Sequence, residues 1–213
     1  MTGYNLIAPF YQFFVKLVFG DLLFKAQTHF LTNDLSPAQI LIVGGGTGEI
    51  LSFCLTQYPK AQITYIESSK KMIEISKKKI PEENADRVNF QCKNILEWNS
   101  SLRFDLVLLP FVLDLFNDQH GMQLLSSLKD LGSDKCQLLV TDFSRTSSTF
   151  QKALVKLMYF LFNSVNASER SSLPDFNTLF RENFWVIETQ HRHGKKIYLN
   201  LVTSYQLVLC NTT

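Results

Sequence analysis

Four of the chain's nine glycines, Gly44, Gly45, Gly46 and Gly48, fall within five residues, directly after the apolar run 40–43. A glycine turn of this density lets backbone N–H groups approach a ligand closely, and where it opens a helix those groups face polar or anionic atoms. A plain strand-to-helix turn needs one or two glycines, so the excess points to a ligand. Glu67 stands 19 residues beyond Gly48, at the end of the next apolar run. Its two oxygens match the spacing of a vicinal diol, so the carboxylate can accept both hydroxyl protons of a ribose. A nucleoside-bearing ligand is the expected chemistry.

The spacing narrows that class. A dinucleotide fingerprint puts its third glycine at position 49, which is Glu49, and the Gly-Lys-Ser/Thr of a phosphate loop is absent. Asp114, His120 and Asp142 lie near expected strand ends and are the candidate proton acceptors. Asp105 reads as a structural carboxylate at a strand start. His191 and His193 are two apart, which on a strand puts both on one face, as a metal pair requires. With Arg192, Lys195 and Lys196 beside them and no third ligand nearby, they read as a solvated hairpin turn, and no metal is expected.

These residues must be positioned by elements that the apolar pattern reveals. Runs 40–43, 62–66, 87–91, 104–109 and 136–141 read as buried parallel strands, and residues 50–57, 69–80 and 119–131 carry helical periodicity. The βαβαβ order gives an α/β class with a doubly wound sheet. Ser68 or Ser69 can cap the second helix, Lys77, Lys78 and Lys79 sit on its negative end, and Pro81 stops it. Further on, residues 150–165 read as an amphipathic helix, and 185–190 and 197–209 as two final strands of an antiparallel hairpin. An apolar stripe over 6–18 makes a helical arm of residues 1–34 before an α/β body of 35–213, together one domain.

Composition excludes other classes. The 213 residues suffice for one core, and 21 basic against 19 acidic side chains, without blocks of like charge, argue against a nucleic-acid partner. Cys54, Cys92, Cys136 and Cys210 are scattered, as in a reducing, cytoplasmic protein. No apolar run approaches the roughly 20 residues of a membrane helix, so no integral membrane segment is expected.

Residues 40–48 together with 65–72 resemble motif I and the following acidic motif of class I S-adenosylmethionine-dependent methyltransferases. The order of elements agrees over roughly residues 35–209. The resemblance implies a Rossmann-like, mostly parallel sheet of seven strands whose last strand is antiparallel. S-adenosylmethionine would lie across the carboxyl ends of the first and fourth strands. It implies that Gly44, Gly45, Gly46 and Gly48 pass under the methionine and ribose, and that Glu67 holds the ribose. Ser68 and Met72 match positions lining the adenine. Asn94 stands where the family commonly has an Asp accepting from the adenine amino group, and Ile95 packs on the adenine face. Leu109, Pro110 and Phe111 fall near the transferable methyl. Many members carry an acid at the position of Ile42, which here is apolar.

The opening residues 4–11 are similar to those of methyltransferases related to ubiquinone and menaquinone biosynthesis, with Asn5 and Gln12 in place of acids. Tyr4 and Tyr11 either close over the cofactor or pack the arm on the sheet. The Asn/Asp-Pro-Pro-Tyr signature for amino nitrogens of bases or glutamine is missing. The expected function is methyl transfer to a small apolar or aromatic acceptor. A non-catalytic binding or interaction module of the same fold is the alternative from another class. An aminopropyltransferase is disfavoured, since its amine substrate needs carboxylates where this chain has Leu109, Pro110 and Phe111. The aromatic helices read as a substrate lid, ordinary core or a homodimer face.

Overall fold

Strands whose two faces are both covered need apolar side chains at every position, and the two faces of this sheet divide them alternately. Leu41, Val43, Val107 and Leu109 enter one core layer; Ile40, Ile42, Leu106 and Leu108 enter the other. A computed structural model describes residues 19–144, 149, 172–194 and 202–209 of the protein. Helix α1 (Leu22–Thr28) precedes β1 (Gln39–Val43). Then come α2 (Glu49–Gln57), β2 (Gln62–Ile66), α3 (Lys70–Lys79), β3 (Val88–Gln91) and β4 (Phe104–Pro110). Helix α4 (Asp118–Leu131), β5 (Gly132–Phe143), α5 (Phe176–Glu182), β6 (Trp185–His193) and β7 (Val202–Leu209) complete the order.

The sheet has seven strands in the order β3-β2-β1-β4-β5-β7-β6. Strands β1 to β5 pair in parallel, and β7 runs antiparallel between β5 and β6. The doubly wound sheet and its antiparallel last strand are therefore present. The order reverses between β1 and β4, so the loops leaving these two strands part to opposite faces and open a crevice at their carboxyl ends. One layer packs Leu124, Leu125 and Leu128 of α4 and Phe180 of α5 on the sheet; Trp185 closes it, its indole Nε1 donating to Leu125 O at 3.1 Å. The opposite layer packs Ile50, Leu51 and Cys54 of α2.

Several elements differ from the sequence expectation. Strand β5 starts at Gly132 rather than at 136, and β6 runs on to His193, through residues read as a turn. Helix α5 is unanticipated: seven residues, with Asp175 as N-cap accepting from Thr178 N at 3.4 Å and Phe176, Leu179 and Phe180 buried. The helices read over 6–18 and 150–165, Tyr4, Tyr11 and the first residues of the final strand lie outside the described residues. Of the arm, α1 packs Leu22, Leu23 and Ala26 inward, and Phe19 meets Phe143 at 5.8 Å between ring centroids. No helix among the described residues is long and apolar enough to cross a membrane.

Candidate functional site

The crevice floor is the turn after β1. Gly46 has φ +61°, a left-handed conformation that penalises any Cβ, yet nothing lies within 4 Å of where a Cβ would point. The space above it is open. Gly45 is required for the opposite reason: a Cβ there would meet the Tyr65 ring at 2.4 Å. The Gly46 peptide is gripped at both ends. Its oxygen accepts from Tyr65 Oη at 2.8 Å and from Ser76 Oγ at 2.9 Å, and its N–H donates to Glu67 Oε2 at 3.2 Å. Gly44 N donates to Ile66 O at 2.8 Å, fixing the start of the turn to the end of β2. Tyr65 and Ser76 are supports that sequence reasoning missed; their signal was a hydroxyl in an apolar strand and a serine on the buried side of a lysine-rich helix.

Glu67 sits directly after β2 with 7% of its surface exposed. Its other oxygen, Oε1, accepts from Ser69 N at 2.9 Å, and Ser68 Oγ lies 3.5 Å away. Burial pushes the carboxyl pKa up, and the Ser69 and Gly46 N–H groups oppose that by favouring the anion. Oε2, with Gly46 N–H as its one donor, keeps a second lone pair for a hydroxyl. Ser69, rather than Ser68, caps α3, accepting from Met72 N at 3.3 Å, which leaves Ser68 half-buried beside Glu67. Met72 and Ile95 are nearly enclosed. Asn94 Oδ1 accepts from Leu96 N at 3.2 Å and caps a short 3-10 turn (Ile95–Glu97), so one of its lone pairs is already used. Lys79 is not merely a solvated end charge: its Nζ reaches Thr47 Oγ1 at 3.3 Å and Glu49 at 3.6 Å, an exposed pair of small energetic weight.

Across the crevice, the tip of β4 is strained. Phe111 has φ +56°, uncommon for a bulky residue, and its N–H donates to Thr141 O at 2.7 Å. Its ring meets Phe143 at 5.1 Å, so Phe19, Phe111 and Phe143 form an aromatic wall at the β4 and β5 tips. Leu109, expected near the methyl, is fully buried in the core; the half-buried residue at this tip is Phe111. Asp114 and Asp142 come together: Asp142 Oδ2 accepts from Asp114 N at 3.1 Å and Oδ1 from Phe143 N at 2.9 Å. Burial and the Asp114 carboxylate hold the Asp142 pKa well above the ordinary range. His120 sits in the first turn of α4, capped by Asn117 Oδ1 at 2.9 Å, remote in role from these acids. Asp105 is structural, accepting from Ala38 N and Gln39 N at 3.0 Å each.

The histidines also depart from expectation. His191 and His193 belong to β6, and His29, next after α1, supplies the third imidazole that the sequence spacing does not show. The His29 and His191 rings stack at 4.1 Å, and His193 lies 5.0 Å from the former and 4.6 Å from the latter.

Residues 40–135 match a family model described as a methyltransferase domain. Those residues, just under half of the chain, are thus similar to a class I S-adenosylmethionine-dependent methyltransferase domain. The open cradle over Gly46 beside the Glu67 carboxylate fits S-adenosylmethionine, the cofactor that the sequence resemblance implies. The chain is 35% identical over 136 residues to malonyl-[acyl-carrier protein] O-methyltransferase of Priestia megaterium (strain DSM 319 / IMG 1521), covering 60% of this chain and 46% of that relative. The match thus spans less than half of the relative's length. Among solved structures, mitomycin 7-O-methyltransferase superposes with a TM-score of 0.71 at 20% identity, over 97% of this chain and 60% of that one. The 1,6-didemethyltoxoflavin-N1-methyltransferase of Burkholderia thailandensis gives 0.70 at 12% identity, over 97% and 86%. At these identities the likeness is one of fold.

Proposed function

We propose that the methyltransferase domain transfers the methyl group of S-adenosylmethionine to a small apolar or aromatic acceptor bound at the tips of β4 and β5. The observation that carries this reading is the Gly46 peptide, clamped by Tyr65, Ser76 and Glu67 under open space. In it, Gly44, Gly45, Gly46 and Gly48 run beneath the methionine and ribose, Glu67 accepts from the ribose hydroxyls, and Ser68, Met72, Asn94 and Ile95 border the adenine. Tyr11, for which the resemblance leaves closing over the cofactor or packing the arm open, lies outside the described residues. When bound, S-adenosylmethionine supplies an electrophilic methyl on a sulfonium.

The chain's own work is positioning and drying. In-line displacement needs the acceptor atom within about 3 to 3.5 Å of the methyl and aligned with it, and an apolar wall favours a transition state in which charge is dispersed. Phe111 and Phe143 provide that wall. Asp142, fully buried, acts through the Asp114 backbone to hold the strained β4 tip, which makes both acids positioning residues rather than a catalytic base. The carbon–sulfur bond breaks as the bond to the acceptor forms, and S-adenosylhomocysteine leaves; the acceptor's proton passes to solvent. The malonyl-[acyl-carrier protein] named for the Priestia megaterium relative is a second reading of the acceptor, favoured by its 35% identity.

The test is S-adenosylhomocysteine release over a panel of aromatic hydroxyls, aromatic amines and malonyl thioesters on acyl-carrier protein. Turnover on an aromatic acceptor supports the first reading, and turnover on the malonyl thioester alone replaces it with the second. Cofactor binding without turnover on any of them would make the chain a binding module.

A further inference from the structure

The three imidazoles of His29, His191 and His193 face one another across elements far apart in sequence, and each offers a ring nitrogen within 4.8 Å of the others'. We propose that they form a binding site for a divalent transition metal of the Zn2+ type, with a fourth position left for water or an exogenous ligand. The inference is independent of the methyl-transfer site.

The backbone brings them together. His191 and His193 share one face of β6, opposite Ser204 and Val202 of β7. Helix α1 crosses that face, because Ala26 O accepts from Ser204 Oγ at 2.7 Å, and His29 follows directly after the helix. The same hydrogen bond sets a tautomer. Since the Ser204 proton goes to Ala26 O, Ser204 Oγ accepts from His193 Nε2 at 2.9 Å, which leaves His193 Nδ1 with its lone pair. A ligating histidine is normally oriented by such a hydrogen bond on its other nitrogen.

The donor set selects the metal class. The group contains neither carboxylate nor thiol, which suits Zn2+, Cu2+ or Ni2+ and not the hard Ca2+ or Mg2+. Zn–N bonds of 2.0–2.1 Å in a tetrahedron place donors about 3.3 Å apart, so the group must contract by up to about 1.5 Å. Exposed His29 and His191 can supply that by side-chain rotation, whereas buried His193 is held by Ser204. Bound metal would fasten α1, and with it the arm, to the β6 edge.

The experiment is Zn2+ titration of the full chain without an affinity tag, by competition with a chromophoric chelator, in a Cys92→Ser, Cys210→Ser background that removes the exposed thiol among the described residues and the one outside them. The expected result is one equivalent bound, with His29→Ala and His191→Ala each weakening affinity at least tenfold and Ser204→Ala weakening it about 10- to 100-fold. Zn2+ should also raise the melting temperature of the parent chain and not of His29→Ala, because only a ligand bound to the folded state stabilises it. No stoichiometric Zn2+ binding, or unchanged affinity in both exposed-histidine variants, would overturn the proposal.

Discussion

Around the tip of β1 the crevice is made of backbone. The Gly46 peptide, the Gly44 N–H and the Ser69 N–H are held in place, and the side chains that hold them come from within 30 residues of the turn. Around the tips of β5, β7 and β6 the functional groups are side chains drawn from distant segments: Asp114 with Asp142, Phe19 with Phe143, and His29 with two residues of β6. Both regions lie at the carboxyl end of the parallel strands, yet they are specified differently. A turn that must pass through left-handed backbone demands glycine whatever surrounds it, while a side-chain cluster demands only that the fold bring its members together. The first kind of site tolerates little substitution of its backbone; the second is open to replacement of individual members.

That contrast can be broken by substitutions, and the largest effect is expected on the β5 side. Asp142→Ala leaves the Asp114 and Phe143 N–H groups without their acceptor in a buried setting, at a cost of about 3 kcal/mol of stability, read from urea unfolding midpoints. Asp142→Asn sharpens the point through pH. The raised folded-state pKa means that the native protein keeps a proton the unfolded chain gives up. Stability should therefore fall as pH rises above the ordinary aspartate value of 3.8 toward the raised one, by at most about 1.4 kcal/mol per pH unit. The Asn variant should lose this slope; parallel profiles for the two proteins would refute the raised Asp142 pKa.

On the β1 side, Gly46→Ala should cost about 1–2 kcal/mol from the left-handed backbone alone, since the space itself is open, and should also block cofactor approach. Thermal melts without ligand separate the two contributions. The smallest effect is expected for Tyr65→Phe, which removes one of the hydroxyls on Gly46 O at about 1 kcal/mol and weakens cofactor binding only a few-fold, because Ser76 Oγ remains. A Tyr65→Phe effect larger than that of Gly46→Ala would mean that the clamp, and not the turn conformation, shapes the site.

What the sequence disclosed follows the same division. Strands β1, β2 and β4 were legible to within a residue because both faces are largely buried and their apolar runs end at turns, and the short edge strand β3 was legible by the alternation of Val88 and Phe90. Strand β6 was cut short because it is an edge strand: most of residues 186–192 face solvent, so no apolar alternation marks them and three polar residues read as a turn. The first residues of β5 were lost for the same reason. Gly44, Gly45, Gly46, Gly48 and Glu67 announced themselves by type and spacing. Tyr65 and Ser76 did not, since a hydroxyl's partner is visible only once β2 and α3 are packed against the turn. The Asp114–Asp142 pair and the third histidine depended on contacts between segments that sequence periodicity does not relate. Of Leu109, Pro110 and Phe111, expected together near the methyl, Leu109 is buried in the core and Phe111, with its positive φ, is the half-buried one.

Titration of S-adenosylhomocysteine into the full chain and into Glu67→Gln, by calorimetry, tests the turn-and-carboxylate site most directly. The expected result is one site in the parent chain and an affinity at least tenfold lower in the variant, a loss of about 1.4 kcal/mol or more, with little change in melting temperature without ligand. A parent chain that does not bind, or a variant that binds equally well, would contradict it.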